Sequence, residues 1–315
     1  MVRLSIANGD ELRALRRWLD HLRGTRPVAA AERTYALCVQ CSLLLAVIGA
    51  SKVAVVSLLL SIPINAAAGV AFLVTLAVYN HNKLTDLEED AVNDPEGAAL
   101  RGSRKRLFAA LSVGSYVLAL CLSALGGPVA FSLTLFPGVL GVLYSSRWLP
   151  GPGPDRLKDV LLVGTGAVAF AWAVPLALLP LAFAGDAVGL GALVVLAFFF
   201  VRTVLAVELF NVRDVEGDRC RGIATLPVVL GVDPTRVVLV ALNACSLALL
   251  VAAVFLGALA PVALAAAPAV GFSLVLVGWL DADRSADRLC LASYLEAPLM
   301  AACLVLASGS VPPVA

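Results

Sequence analysis

Two short acidic runs carry the side chains best suited to chemistry in this sequence, and they resemble each other. The first motif, residues 82–90, begins with Asn82 and contains DLEED from Asp86 to Asp90. The second, residues 211–218, begins with Asn211 and contains DVEGD from Asp214 to Asp218. The two runs align without a gap, with aspartate on aspartate at both ends and glutamate on glutamate between them. This indicates two duplicated halves, each contributing one acidic motif.

Within each motif the aspartates are four residues apart, which predicts two carboxylates on one helix face. Paired like charges are unfavourable unless a cation lies between them. Mg²⁺ is commonly held by one or two carboxylates, with water and substrate phosphate oxygens in its other positions. The motifs therefore predict a site in which Mg²⁺ joins both helix ends to one diphosphate. Its predicted ligands are Asn82, Asp86, Asp90, Asp214 and Asp218. The alternative is a pair of solvated acidic loops.

The elements that position these motifs are predicted to be membrane helices. Hydrophobic residues make up 61% of the 315 residues and charged residues only 14%, whereas soluble domains are about 25% charged. A bilayer needs roughly 20 apolar residues per helical span, and the sequence contains nine such blocks, which predicts an all-α fold. The first two spans share Tyr35 to Tyr79, with a boundary near Ser51-Lys52 or near Pro63 and Asn65. The other seven are 107–124, 129–144, 160–180, 188–210, 237–256, 261–280 and 289–307.

The distribution of lysine and arginine predicts how the chain crosses the membrane. Residues 1–34 are rich in arginine and contain no apolar segment typical of a signal peptide. This arm is predicted to be cytoplasmic, and residues 35–315 to form one transmembrane domain. On that arrangement every basic residue except Lys52 and Arg202 lies in the arm or a cytoplasmic loop. The amino terminus and both acidic motifs are thus expected inside, and the carboxyl terminus outside.

The motifs and their surroundings resemble the UbiA family of membrane prenyltransferases. Asn82, Asp86 and Asp90 match the family's NxxxDxxxD motif, and Asp214 with Asp218 match its DxxxD motif. The run DVEGDRCRGIATLPVVLG, from Asp214 to Gly231, is similar to the family's usual continuation, and the likeness extends over nearly the whole chain from about Arg33. The resemblance implies nine membrane helices in two related halves and Mg²⁺-dependent ionisation of an isoprenoid diphosphate.

The sequence departs from the family pattern near the expected acceptor side. Lys83 follows Asn82 where the family usually has aspartate, and the loop NDPEGAALRGSRKR from Asn93 to Arg106 lacks the usual arginine-proline pattern. Tyr144 to Trp148 is similar to the family's YxxxK element, with tryptophan at the lysine position. The acceptor is therefore left open.

Ionisation of a diphosphate calls for cations that stabilise the departing charge. The candidates are Lys158, Arg147, Arg101 and Arg104, each of which is also explained as a positive-inside loop charge. Lys158 is favoured because it directly precedes the fifth span, where the family often has a lysine. Lys158 and the four aspartates form the predicted catalytic set. The predicted substrate-binding set is Asn82, Asn211, Arg147, Tyr144, Arg101, Arg104 and Glu208.

Ionisable residues within the membrane normally face a cavity or a partner. Arg202 and Glu208 are six residues apart on the sixth span, nearly opposite on the helix, so they are not expected to pair with each other. Each is expected either to pair with a polar group on a neighbouring helix or to act in the cavity. Glu208 is one turn before Asn211 and is the better placed of the two to reach substrate. Glu296 in the ninth span receives no assignment.

Three functions fit these residues. The first is prenyl transfer to an aromatic or lipid acceptor in the bilayer. The second is a UbiA-type terpene cyclase acting on the prenyl diphosphate alone. The third is a cation transporter, which is disfavoured because transporters usually bind their ions near the membrane midplane. No basic and aromatic surface indicates binding to nucleic acid.

Overall fold

The computed structural model describes residues 37–88, 91, 94–145, 156–280 and 286–309. The predicted cytoplasmic arm, Asp90 and Arg147 lie outside these residues. The fold is all-α, as the sequence predicted. Its α-helices are α1 (Leu43–Leu60), α2 (Ala67–Thr85), α3 (Pro95–Ser103), α4 (Lys105–Ala124), α5 (Gly127–Ser145), α6 (Val163–Ala184), α7 (Leu190–Arg213), α8 (Val215–Arg221), α9 (Leu226–Leu230), α10 (Val232–Phe255), α11 (Ala267–Gly278), α12 (Ala286–Ser293) and α13 (Glu296–Ser308). Two 3₁₀ helices cover Leu157–Asp159 and Pro261–Ala266.

Eight spans in the described part of the chain are long and apolar enough to cross a membrane. They are α1, α4, α5, α6, α7, α10, the Pro261–Gly278 segment and the Ala286–Ser308 segment. Large apolar side chains such as Val113, Leu118 and Val237 lie on the outer surface, as expected for helices that face lipid. The protein is therefore a multi-pass membrane protein. The predicted count of nine requires α2, whose last turns are polar and which is not among the eight, so that count stays a prediction.

The long helices pack in a closed ring. Along the chain, α1 contacts α2, α2 contacts α4, and the series continues through α5, α6, α7, α10 and α11 to α13, which packs against α1. Small residues allow close approach: a Cβ on Gly49 of α1 would collide with the Thr75 hydroxyl of α2. The ring surrounds a central space.

Several helix ends differ from the predicted spans. The first turn lies at Ser61 to Ala66, so Ser51 and Lys52 are inside α1. The last predicted span is divided into α12 and α13, and Glu296 begins α13. A polar residue is therefore placed at a helix break in the middle of the segment. Pro175 and Pro180 remain inside α6, as proline often does in membrane helices.

Candidate active site

Both acidic motifs begin at the end of a long helix, in nearly the same backbone conformation. Asp86 caps α2 with φ −100° and ψ 22°, and its N–H donates to the carbonyl of Asn82. Asp214 caps α7 with φ −94° and ψ 7°, and its N–H donates to the carbonyl of Phe210. The two helix ends are thus equivalent, as the alignment of the motifs predicted. Asp218 lies on the separate helix α8, with its N–H bonded to the Asp214 carbonyl at 3.0 Å.

The two helix ends face one cavity of about 1290 Å³. It is lined by α1, α2, α5, α6, α7, α12 and α13. Many of the predicted site residues share this lining, namely Asn82, Asp86, Asp214, Asp218, Lys158, Asn211, Tyr144 and Arg101. Residues from opposite halves of the sequence are therefore brought to one space.

Lys158 contacts the first motif directly. Its Nζ lies 3.3 Å from Oδ1 of Asp86, and its side chain is 8% exposed. The 3₁₀ helix that carries it packs closely on the first turn of α6, where a Cβ on Gly164 would lie 2.9 Å from the Lys158 carbonyl oxygen. Glycine at this position lets the turn bring a cation beside the aspartate.

The second motif has its own partners. Arg213 forms a two-pronged ion pair with its neighbour Asp214, at 2.8 and 2.7 Å. Thr225 donates from Oγ1 to Oδ2 of Asp218 at 3.3 Å. Arg221 reaches the first motif, donating to the carbonyl of Glu88 at 3.1 Å. A direct contact therefore joins the first motif to α8, the helix that carries Asp218.

A second polar group lies around the start of α3. Asp94 caps this helix by accepting from the Gly97 N–H at 3.0 Å. Asp94 also accepts from the Gln40 side chain at 3.0 Å and lies 3.3 Å from Arg101, whose NH1 donates to the side-chain amide oxygen of Gln40. Burial raises the pKa of Asp94, but the hydrogen bonds from Gln40 and Gly97 and the charge of Arg101 outweigh it, so this pKa lies below its ordinary value.

The other basic candidates differ in position. Arg101 is 2% exposed and lines the cavity. Arg104 is exposed at the end of α3 and is not part of the lining. Lys83, which departs from the family pattern, donates to the carbonyls of Val39 and Gln40 at 2.8 and 3.3 Å. The structure thus brings Arg101, but not Arg104, to the cavity that holds the aspartates.

Comparison with known proteins identifies the family. The model of the UbiA prenyltransferase family matches residues 36–295. The chain belongs to this family. Among curated relatives, digeranylgeranylglyceryl phosphate synthases from Methanoregula boonei and Methanothermobacter thermautotrophicus are 31% and 34% identical over 57% and 52% of this chain. The chain spans 61% and 55% of the lengths of those two proteins.

Solved UbiA structures share the fold. A UbiA homolog from Archaeoglobus fulgidus, bound to GPP and Mg²⁺, has a TM-score of 0.59 and 17% identity, covering 86% of this chain and 95% of that one. The apo UbiA homolog from Aeropyrum pernix K1 has a TM-score of 0.63 and 18% identity, covering 84% of this chain and 98% of that one. At such low identity these likenesses support the architecture alone.

The donor chemistry of the UbiA-type motifs fits Mg²⁺. Asp86, Asp214 and Asp218 offer carboxylate oxygens, and Asn82 offers an amide oxygen, which are the hard ligands that this ion prefers. Among the described residues, no group of three or more acidic, histidine or cysteine side chains is close enough together to hold a metal ion by itself. Mg²⁺ does not require one, because it usually keeps water and substrate phosphates among its ligands.

Glu208 and Arg202 have partners on other helices, which is one of the two expected alternatives. Glu208 is 1% exposed and accepts hydrogen bonds from Thr165 of α6 and from Asn211, the latter at 3.1 Å. It is not among the lining residues, but both of its partners, Thr165 and Asn211, are. Arg202 pairs with Glu296 and with Asn243.

Aromatic rings line the cavity next to the acidic helix ends, deeper in the membrane. The acidic motifs did not predict these aromatic residues. Tyr79 stacks on Trp172 with ring centroids 5.7 Å apart, and Phe210 stacks on Tyr294 at 5.6 Å. All four residues line the cavity. Tyr79 is two turns before Asp86, and Phe210 is one turn before Asp214. The polar part of the cavity, beside the aspartates, is therefore followed by a part whose walls are aromatic.

Proposed function

We propose that this protein ionises an isoprenoid diphosphate and transfers the prenyl group to an acceptor in the membrane. The observation that carries this proposal is the meeting of aspartates from both halves at one end of a single membrane cavity. A cavity with carboxylates at one end and aromatic walls next to them suits an amphipathic substrate with a polar head and a hydrocarbon tail.

Asn82, Asp86, Asp90, Asp214 and Asp218 would hold Mg²⁺ against the diphosphate. When bound, the ion neutralises negative charge on the leaving group as the allylic carbon–oxygen bond breaks. Lys158 is placed to stabilise the same charge, because it lies beside Asp86 and is largely withdrawn from bulk water. Arg221 and Arg101 add positive charge to the cavity lining.

The aromatic residues support carbocation chemistry below this polar end. The faces of tyrosine, tryptophan and phenylalanine rings attract cations, and more strongly where water is excluded. Tyr79, Trp172, Phe210 and Tyr294 are therefore proposed to stabilise the allylic cation while they exclude water that would trap it. Tyr144 also lines this region and is proposed to contact the substrate.

The acceptor is proposed to be a lipid with a free hydroxyl group. Curated relatives bear the name digeranylgeranylglyceryl phosphate synthase, which supports a glycerophosphate lipid over an aromatic compound. An enzyme embedded in the bilayer can receive such an acceptor from the surrounding lipid. Cyclisation of the prenyl cation on its own tail is the alternative, and the aromatic walls are compatible with that reaction as well.

Product analysis tests both reactions. Purified full-length protein in lipid nanodiscs would be incubated with Mg²⁺ and prenyl diphosphates, with and without a lipid extract, and the products identified by mass spectrometry. Prenylated lipid that forms only with the extract supports transfer. A cyclic hydrocarbon formed without extract supports cyclisation, and release of no diphosphate under any condition refutes the proposed function.

A further inference from the structure

A charged cluster lies in the membrane part of the same cavity, far from the acidic motifs. Lys52, Arg202 and Glu296 all line the cavity. Each is near the middle of its membrane segment: Lys52 in α1, Arg202 in α7 and Glu296 in Ala286–Ser308. Arg202 and Asp214 are twelve residues apart on α7, which corresponds to about 18 Å along the helix axis.

Hydrogen bonds and an ion pair with other residues explain why Arg202 and Glu296 lie inside the membrane part of the protein, but they do not explain Lys52. Arg202 donates from Nε to Oε1 of Glu296 at 2.8 Å and from NH1 to Oδ1 of Asn243 at 2.8 Å. Among the described residues the Lys52 ammonium makes no hydrogen bond or close ion pair, and the Glu296 carboxylate attracts its charge only from a greater distance. With two cations and one carboxylate, the cluster carries excess positive charge, and Lys52 presents that charge to the cavity.

The cluster marks the deep end of the cavity, meaning the end opposite the aspartates. One turn farther along each helix, the last lining residues are Val55, Phe199 and Met300. These three belong to a buried apolar cluster to which α1, α6, α7, α10, α11 and α13 contribute. A tail that enters from the aspartate end therefore meets Lys52 just before the cavity ends.

We infer that Lys52, supported by the Arg202–Glu296 pair, limits the length of the prenyl tail that this site accepts. The inference rests on the proposed function. Hydrocarbon packed against an ammonium removes water from the charge without replacing its hydrogen bonds, and such burial is costly. A short tail ends above the cluster and leaves the ammonium hydrated, whereas a longer tail must cover it. The structure thus assigns to this site a prenyl diphosphate with a geranyl or farnesyl tail rather than a geranylgeranyl tail.

The test is binding of unreactive thiolodiphosphate analogues with geranyl, farnesyl and geranylgeranyl tails. Dissociation constants would be measured on the full-length protein in nanodiscs with Mg²⁺. The unaltered protein is expected to bind the geranylgeranyl analogue roughly tenfold or more weakly than the farnesyl analogue, because the longer tail covers the charge. Lys52→Met keeps the apolar stem without the charge and should remove most of this difference, whereas Lys52→Arg should retain it.

Asn243→Leu is the matched control, because Asn243 binds Arg202 from outside the cavity lining. It should lower thermal stability and leave the preference for tail length unchanged. Equal affinity of the unaltered protein for all three analogues overturns the inference without any variant, and so does an unchanged preference in folded Lys52→Met. Binding of no analogue refutes the proposed function and the inference together. Binding without dependence on tail length refutes the inference alone.

Discussion

At the scale of single residues, the candidate site is a set of carboxylates with individual partners. Asp86 contacts Lys158, Asp214 contacts Arg213, and Asp218 accepts a hydrogen bond from Thr225. The partner of Asp86 lies 72 residues away in the chain, whereas the partners of Asp214 and Asp218 are one and seven residues away. Lys158 and Arg213 are therefore two cations of the cavity lining that already pair with an aspartate of the site.

Lys158→Met tests whether this cation acts in the chemical step. The variant keeps the apolar stem and loses the charge, so an interaction that strengthens as the diphosphate departs would be lost. We expect kcat to fall by roughly 100-fold and KM to change much less. Arg104→Met is the matched control, because Arg104 is an exposed cation outside the cavity lining. A change confined to KM would instead make Lys158 a docking residue.

Asp86→Ala and Asp214→Ala test the two-motif site. Both residues cap helices rather than pack in a core, so each variant should fold while its turnover falls by at least about 100-fold, because a metal ligand is lost. Turnover and the elution profile in detergent would be compared with those of Asp233→Asn, which alters an exposed carboxylate far from the cavity. Near-normal turnover in either variant contradicts the shared site.

The sequence predicted these aspartates better than it predicted their partners. Spacing along a helix is a local property, so the chain itself predicts that Asp214 and Asp218 lie close together, and the Asp218 N–H does bond to the Asp214 carbonyl although α7 ends between them. The contact of Thr165 with Glu208 depends on how α6 lies against α7, which the sequence does not state. The same holds for Gln40, which reaches Asp94 and Arg101 across a large separation in sequence.

At the scale of elements, polar groups influence where some of the helices begin and end. The apolar blocks predicted most spans, because a membrane helix needs a continuous apolar stretch of fixed length. They did not predict that the last segment breaks before Glu296. That break is stabilised by the ion pair with Arg202 on another helix, and periodicity within one segment contains no information about such a pair.

The start of α3 provides a prediction on pH. Asp94 has a pKa below its ordinary value, so its ion pair stabilises the fold at pH values above the ordinary aspartate pKa of about 4. This contribution is lost as the pH falls through the depressed pKa. The melting temperature of Asp94→Asn should therefore lie below that of the unaltered protein near neutral pH, and the difference should shrink at acidic pH.

Asp233→Asn serves again as the control for this measurement. Asp233 lies 3.2 Å from Arg236, but its side chain is 84% exposed, and exposed pairs contribute little. The melting temperature of the Asp233→Asn variant should match that of the unaltered protein across the same pH range. If the melting temperature of Asp94→Asn were lower than that of the unaltered protein by the same amount at every pH, the loss of stability would be due to the missing helix cap rather than to the missing charge.

At the scale of the whole molecule, a ligand bound inside the closed ring of helices would connect the two halves of the chain. In the protein alone, Arg221 and the Glu88 carbonyl join α8 to the first motif. Diphosphate held through Mg²⁺ by Asp86 and Asp214 would add a second connection, between α2 and α7. A ligand that binds only the folded ring stabilises it by about 2.7 kcal/mol at a concentration 100 times its dissociation constant.

Inorganic diphosphate and Mg²⁺ together should therefore raise the melting temperature of the protein in nanodiscs. Diphosphate with excess chelator should raise it much less, because the aspartates would then repel the polyanion. Asp86→Ala and Asp214→Ala should each abolish the joint effect, since one remaining motif cannot connect α2 to α7. Lys52→Met should retain it in full, because inorganic diphosphate has no tail to reach the deep end of the cavity. If the joint effect survived loss of either aspartate, diphosphate would be bound by a single motif, and the closed ring would not be the unit that binds substrate.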